Sequence, residues 1–195
     1  MKIKNQKEFF NETYKKWAES ISEERLTLVK KVVALLGISE GNSVLDAACG
    51  TGILYCALKD IHLKDYLAVD ISEKMLEELN KVFPEAKTKC LDFDKKITLD
   101  DKFDYVIIFN SIPHFENIDI LFANTKKLLN TGGKFAIIHG RTRKGIKEHH
   151  KKIGYDLGRE PIPTDVTLNK LSKEYDFNDV VIKDEDFFYF SCVSN

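Results

Sequence analysis

The chain has 195 residues, 43% hydrophobic and 31% charged, which suits one folded domain with a full core and leaves little room for two. Its 30 basic and 31 acidic residues nearly cancel, so a whole-surface electrostatic grip on nucleic acid or an anionic membrane is not indicated. No apolar run approaches the roughly 20 residues that span a bilayer, and the charged start Met1-Lys-Ile-Lys-Asn-Gln-Lys7 has no apolar stretch behind it, so neither a span nor a signal peptide is expected. Cys49, Cys56, Cys90 and Cys192 form no Cys-x-x-Cys pair and fit neither a zinc cluster nor a disulfide framework. Reduced thiols in a cytoplasmic protein are the expectation.

Residues 5–18 read as a helix with Phe10, Tyr14 and Trp17 on one stripe. Residues 22–37 read as a second helix, with Ser22 as N-cap and Gly37 as stop. Residues 1–38 thus form an N-terminal helical cap. A short buried strand at 43–46, a glycine-bearing turn and a helix at 53–59 follow. The next strand covers 66–69. Ser72 caps a helix that runs to about Val82 and stops before Pro84. Strands follow at 86–90 and 103–109, the latter nearly all apolar, as expected when both faces are covered. A helix at 118–129, ended by Thr131-Gly132-Gly133, leads to a strand at 134–139.

This alternation predicts a parallel sheet with helices on both faces. The tail departs from it. A basic helical stretch at 143–153, a proline-containing link at 160–163 and a helix near 165–175 precede two close strands, 180–183 and 187–193, joined by Asp184-Glu185-Asp186. The expectation is one domain over 1–195, a seven-stranded mostly parallel sheet with an antiparallel C-terminal hairpin. Residues 140–163 form a basic insertion at the sheet's ligand edge, where specificity is often carried.

The segment Val44-Leu-Asp-Ala-Ala-Cys-Gly-Thr-Gly52 carries the cofactor argument. A buried strand ends in an acid, and a turn of small residues lets backbone approach a ligand at the carboxyl edge of the sheet. A dinucleotide site competes, but its Gly-x-Gly-x-x-Gly pattern fails at the third position, where Tyr55 stands after Gly50 and Gly52. A carboxylate at Asp46 repels a pyrophosphate and attracts an ammonium or a sulfonium. S-adenosylmethionine carries both of those cations and no phosphate.

This stretch resembles motif I of the class I S-adenosylmethionine-dependent methyltransferases. The resemblance continues in Val69-Asp-Ile-Ser-Glu-Lys-Met-Leu76, in Leu91-Asp-Phe93, from Phe103-Asp-Tyr-Val106 to His114, and in Leu129-Asn-Thr-Gly-Gly-Lys134. These segments cover residues 40 to 140 in the family's order, and they imply its Rossmann-like fold and methyl transfer from S-adenosylmethionine. The resemblance implies that Asp46 holds the methionine ammonium, directly or through water, and that Ala48, Gly50, Thr51 and Gly52 give backbone contacts. Ala48 stands where many members have glycine. Asp70 would accept from both ribose hydroxyls. Ile71 and Met75 would flank the adenine. Asp92 would accept from its amino group, with Leu91 and Phe93 alongside. Asn110 and Ser111 would line the methionine end.

The acceptor side has candidates only. His114 and His139 follow neighbouring strands at the ligand edge. Ile146, His149, His150 and Ile153 share an inward stripe at i, i+3, i+4 and i+7, while the lysines spread outward. Three readings stay open for these histidines: packing alone, acid/base work or substrate positioning by His114, His139 and His150, and a metal site built on His139 with His149 or His150. The insertion carries Arg141, Arg143, Lys144, Lys147, Lys151 and Lys152 against Glu148. It is either a solvated face or the clamp of an anionic acceptor by Arg141 or Arg143, with His149 nearby. Tyr14 and Trp17 either pack in the core or belong to a lid that closes over the site. The expected function is methyl transfer to a small molecule with an anionic group, without nucleic acid or membrane as partner. A nucleic-acid or protein methyltransferase, a non-catalytic cofactor-binding regulator and a NAD-type oxidoreductase are the alternatives.

Overall fold

Residues 43–47, 106–109 and 135–139 are buried without interruption, so their apolar side chains must be covered on both faces of a sheet. A computed structural model describes residues 5–18 and 22–195 and puts these runs at the centre of a seven-stranded sheet. Two N-terminal helices, α1 (Gln6–Ala18) and α2 (Glu23–Leu36), precede β1 (Ser43–Ala47), α3 (Ile53–Leu58), β2 (Asp65–Asp70), α4 (Glu73–Val82), β3 (Lys87–Cys90) and β4 (Phe103–Phe109). After a 3-10 turn at Ile112–His114 come α5 (Ile118–Leu128), β5 (Leu129–His139), α6 (Arg143–Lys152), α7 (Asp165–Glu174), β6 (Phe177–Asp184) and β7 (Phe188–Ser194). The strand order is β3-β2-β1-β4-β5-β7-β6. The first five strands are parallel, and β7 lies antiparallel between β5 and β6. The expected architecture, with its antiparallel hairpin at the end, is the one observed.

Local chemistry sets most boundaries. Ser22 and Ser72 accept from the Arg25 and Met75 amides at the starts of α2 and α4, and Gly37 ends α2 in the left-handed conformation. The start of β5 differs from expectation. The chain turns extended at Leu129 and pairs at once with Phe103, so Thr131-Gly132-Gly133 lies inside the strand and does not end the helix. The register shifts between Phe103 and Tyr105. A side chain at Gly133 would meet the Asn130 carbonyl at 2.8 Å and the Phe103 carbonyl at 3.1 Å, which is why glycine stands at this irregularity. Strand β6 also begins earlier than the sequence suggests, because its exposed start at Asn178 and Asp179 has no apolar alternation to read.

The pleat sorts the strand residues into two cores. Leu45, Val106, Phe135 and Phe190 face α5 and α7, with Phe122 of α5 packed edge-on against Phe135. Val44, Ile107 and Ile138 face Val29 and Val32 of α2, Leu54 of α3 and Leu79 of α4. The N-terminal cap therefore divides. Helix α2 belongs to the core, whereas α1 buries no residue and is tied to α4 by polar contacts, an ion pair of Lys7 with Glu73 and a hydrogen bond of Ser72 to Asn11. Strands β2 and β3 extend one way from β1, and β4 and β5 extend the other. The carboxyl ends of β1 and β4 thus form the topological switch point, where ligands bind in open α/β sheets. No helix among the described residues is long and apolar enough to cross a membrane.

Candidate active site

The loop after β1 needs an unusual backbone. Ala48, Gly50 and Gly52 all have positive φ, 58°, 56° and 89°. At Gly52 the constraint is also space, since a Cβ would lie 2.8 Å from Leu79 Cγ of α4. The loop is held from β2: Asp70 Oδ2 accepts from the Gly50 amide at 2.8 Å, and its Oδ1 accepts from the Ser72 amide at 2.9 Å. Burial pushes the Asp70 carboxyl up, while amides of Ser72, Gly50 and Ile71 act to lower it. Each oxygen keeps the capacity for another bond.

A cavity of about 930 Å³ opens above this loop. Ala48, Gly50, Thr51, Asp70, Ile71, Met75, Leu91, Asp92, Phe93, Asn110 and Ser111 line it. Asp92 is paired with Lys95 at 2.9 Å, and Ser111 Oγ donates to the Ala48 carbonyl at 2.8 Å. Two expected residues do not reach the cavity. Gly52 is spent on the close approach to Leu79. Asp46 shares the pleat face of Val44, so its side chain turns under the loop, where Tyr66 Oη donates to Oδ2 at 2.9 Å. Burial, partly opposed by the Tyr66 bond and reinforced by Asp70, raises the Asp46 pKa to about 7. The wall also contains residues with no sequence signal for such a role, Asn5, Gln6 and Lys7 at the start of the chain and Arg25 of α2, and it contains Phe10 from the stripe of Trp17.

A second cavity of about 950 Å³ adjoins the first. The two share Trp17, Arg25, Asn110 and His114. His139, Arg141, His149 and His150 line the second alone. His114 Nδ1 is buried without a partner, and the ring packs edge-on to Phe10 at 4.9 Å. Burial first, then neighbouring His150, His139 and Arg159, lowers its pKa to about 4. Burial likewise takes His139 to about 4, the Arg141 carbonyl acting the other way. His150 meets Tyr155 edge-on at 4.9 Å.

Other expectations fall elsewhere. Arg143 lines neither cavity: it pairs with Asp165 at 2.8 Å and Asp184 at 3.6 Å, donates to the Pro163 carbonyl and stacks over Phe188. Tyr14 also lines neither, because its helix turns it toward Lys74 and Lys81 of α4 while Phe10 and Trp17 face the site. Ile153, just past the end of α6, lines the second cavity with the rest of its stripe but is 60% exposed. Among the described residues no group of three or more His, Cys, Asp and Glu side chains is arranged to hold a metal ion.

Residues 45–137 match the family described as a methyltransferase domain. The chain belongs to the class I S-adenosylmethionine-dependent methyltransferases. This methyltransferase is 29% identical over 172 residues to phosphoethanolamine N-methyltransferase 1 of Arabidopsis thaliana, a match covering 82% of the chain and 33% of that protein. The chain spans about a third of the length of the curated relatives it matches over most of its residues. Among solved structures, it is similar to magnesium protoporphyrin IX methyltransferase from Synechocystis with bound S-adenosylhomocysteine, at TM-score 0.71 and 20% identity over 97% of each chain. It is also similar to Haemonchus contortus phosphoethanolamine N-methyltransferase 2 in complex with phosphomonomethylethanolamine and S-adenosylhomocysteine, at TM-score 0.72 and 16% identity. That likeness covers 98% of this methyltransferase and 60% of the other chain. Both share its fold.

Proposed function

We propose that this methyltransferase moves a methyl group from S-adenosylmethionine to a small molecule that carries an anionic group. The observation that carries the reading is the meeting of two large cavities at Asn110 and His114, one on the motif loop and one on the histidine-rich side. A donor and an acceptor must approach within bonding distance in one enclosed space, and adjoining cavities supply it.

The first cavity suits the cofactor's chemistry. Asp70, Asp92 and Asp94 put carboxylates in its wall, which fit hydroxyl and cationic groups and oppose a pyrophosphate. Asp70 would accept from ribose hydroxyls, Ile71 and Met75 would pack on the base, and Asp92 would accept from its amino group. The Gly50–Thr51 backbone, Ala48, Asn110 and Ser111 would face the methionine end. Asp46 would act from beneath as a buried carboxyl that the cofactor's cation draws toward its ionised form. The bound cofactor would supply an electrophilic methyl group on a sulfonium.

On the acceptor side, Arg141 is the proposed anion partner, with His149 and His150 beside it. His114 and His139 are proposed to position the acceptor. Trp17 would close the junction and exclude water. The curated relatives bear the name of phosphoethanolamine, a small anionic molecule, which agrees with this reading.

Calorimetry with S-adenosylhomocysteine tests it. One equivalent should bind, and Asp70→Ala should weaken binding by about tenfold or more, the scale of a lost charged hydrogen bond. No binding by the folded wild type would overturn the reading.

A further inference from the structure

The orientation of one amide sets the chemistry at the junction. Asn110 has φ 59°, in the left-handed region, at the end of β4. Its backbone N–H donates to the Ile138 carbonyl at 2.8 Å, and its Oδ1 accepts from the Gly140 amide at 2.7 Å. The acceptor oxygen of this side chain is therefore directed at Gly140, just past β5 and in the wall of the second cavity. Its Nδ2 can only donate, and its Oδ1 keeps one lone pair beside the Gly140 contact. A left-handed conformation pinned by two groups at the end of β5 is a fixed feature of the site.

His139 can supply a second donor. The Arg141 amide, which can only donate, lies 3.0 Å from His139 Nδ1, and the Arg141 carbonyl oxygen lies 3.1 Å from the same nitrogen. In the tautomer whose Nδ1 accepts from the amide, the neutral ring carries its proton on Nε2 and can donate from it; in the other, Nδ1–H donates to the carbonyl. Arg141 itself is exposed, and its charge acts on His139, His149 and His150. The four residues common to both cavities, Trp17, Arg25, Asn110 and His114, include no carboxylate. An ammonium acceptor would find no counter-charge among these four, although Glu24 and Asp186, the latter 3.9 Å from Lys31, line the second cavity.

We infer that the acceptor presents a carboxylate to this junction, one oxygen held by Asn110 Nδ2 and His139 Nε2 and the other taking the methyl group. This rests on the methyltransferase reading and names the substrate class for it. A new bond joins the carboxylate oxygen to the methyl carbon as the methyl–sulfur bond breaks. The sulfur keeps the bonding pair and becomes neutral, and the product is a methyl ester. No proton has to leave the acceptor. That agrees with His114 and His139, both held near 4 by burial and too weak as bases to deprotonate an ammonium or a hydroxyl. Beyond the junction, Leu28, Ile146, Tyr155 and Phe187 give the second cavity an apolar body. The acceptor is thus a carboxylic acid with an apolar chain or ring.

The test uses matched probes on the whole chain saturated with S-adenosylhomocysteine: octanoate against octylamine, and phenylacetate against phenethylamine. Calorimetry should give the acids at least about tenfold tighter binding than the amines. Asn110→Asp keeps the Gly140 hydrogen bond and the left-handed conformation while replacing the donor by a charged acceptor. It should reverse the order, weakening the acids by about tenfold or more and strengthening the amines. With labelled S-adenosylmethionine, the methylated acid should release methanol in alkali, as an ester does. Amines binding as tightly as the acids, neither acid binding, or an unchanged order in Asn110→Asp would overturn the inference. Each of those results leaves the methyltransferase reading standing as long as S-adenosylhomocysteine binds; loss of that binding is what strikes the reading itself.

Discussion

The Tyr66 hydroxyl donates to Asp46 Oδ2 at 2.9 Å, on the sheet face that α2 and α3 cover. A carboxyl removed from water with one hydrogen bond is poorly compensated as an anion. Its pKa of about 7 has a consequence for stability. In the unfolded chain the same group titrates near 4. Between those values the folded state binds more protons, so stability falls as pH rises from about 4 to 7. Asp46→Asn removes this term. From pH 5 to pH 8, denaturant titration of the ligand-free protein should shift in the variant's favour by about 3 kcal/mol. A difference that stays constant with pH would contradict the assignment.

His114 and His139 act with the opposite sign. Their folded pKa values are lowered to about 4, from about 6.5 in the unfolded chain. Below about 6.5 the unfolded state binds the extra protons, so stability present at neutral pH is lost as pH falls toward 4. The two effects overlap in one pH window and partly cancel in the wild type, and single variants separate them. His139→Phe should reduce the acid sensitivity. In the wild type, ring NMR signals of both histidines should still be those of neutral imidazole at pH 6; a midpoint near 6.5 for either would refute its burial-driven shift.

Ala48 holds φ 58° while its carbonyl is fixed by Ser111 Oγ at 2.8 Å. Alanine pays about 1–2 kcal/mol in the left-handed region, and glycine loses about 0.5–1 kcal/mol of that gain through the freedom of its unfolded state. Ala48→Gly should therefore stabilise the protein by about 0.5–1 kcal/mol, seen as a higher denaturant midpoint at unchanged slope. A lower midpoint would mean that Ala48 makes a contact worth more than its strain.

Arg141 and Arg143 stand two residues apart and should behave differently. Arg143 is half-buried between Asp165, Asp184 and Phe188. Arg143→Ala should cost about 1–3 kcal/mol of stability and leave the acceptor KM unchanged. Arg141 is exposed beside the second cavity. Arg141→Ala should change stability by no more than about 0.5 kcal/mol and raise KM for an anionic acceptor. The reverse pattern would assign the anion to Arg143.

The fold was legible along the chain because its signals are local. Buried strands, serine N-caps and glycine stops occur at the spacing of an alternating α/β sheet, and the motif loop with its acid at the end of β2 needs only neighbours in sequence. The start of β5 escaped, since the turn-forming Thr131-Gly132-Gly133 serves a bulge whose cause is the distant Phe103.

The sequence by itself determined the sheet, the family and the wall residues contributed by strand ends, because each strand end must lie on the same edge. Tertiary structure decided where the side chains at those ends point and what else reaches them. The pleat turned Asp46 away from the cavity toward Tyr66. The rotation of α1 brought Phe10 and Trp17 to the site and left Tyr14 on α4. Packing of α2 carried Arg25 to the junction, and the Gly140 amide oriented Asn110. Each of these depends on contacts between residues far apart in the chain, and hydrophobic periodicity carries no information about those contacts.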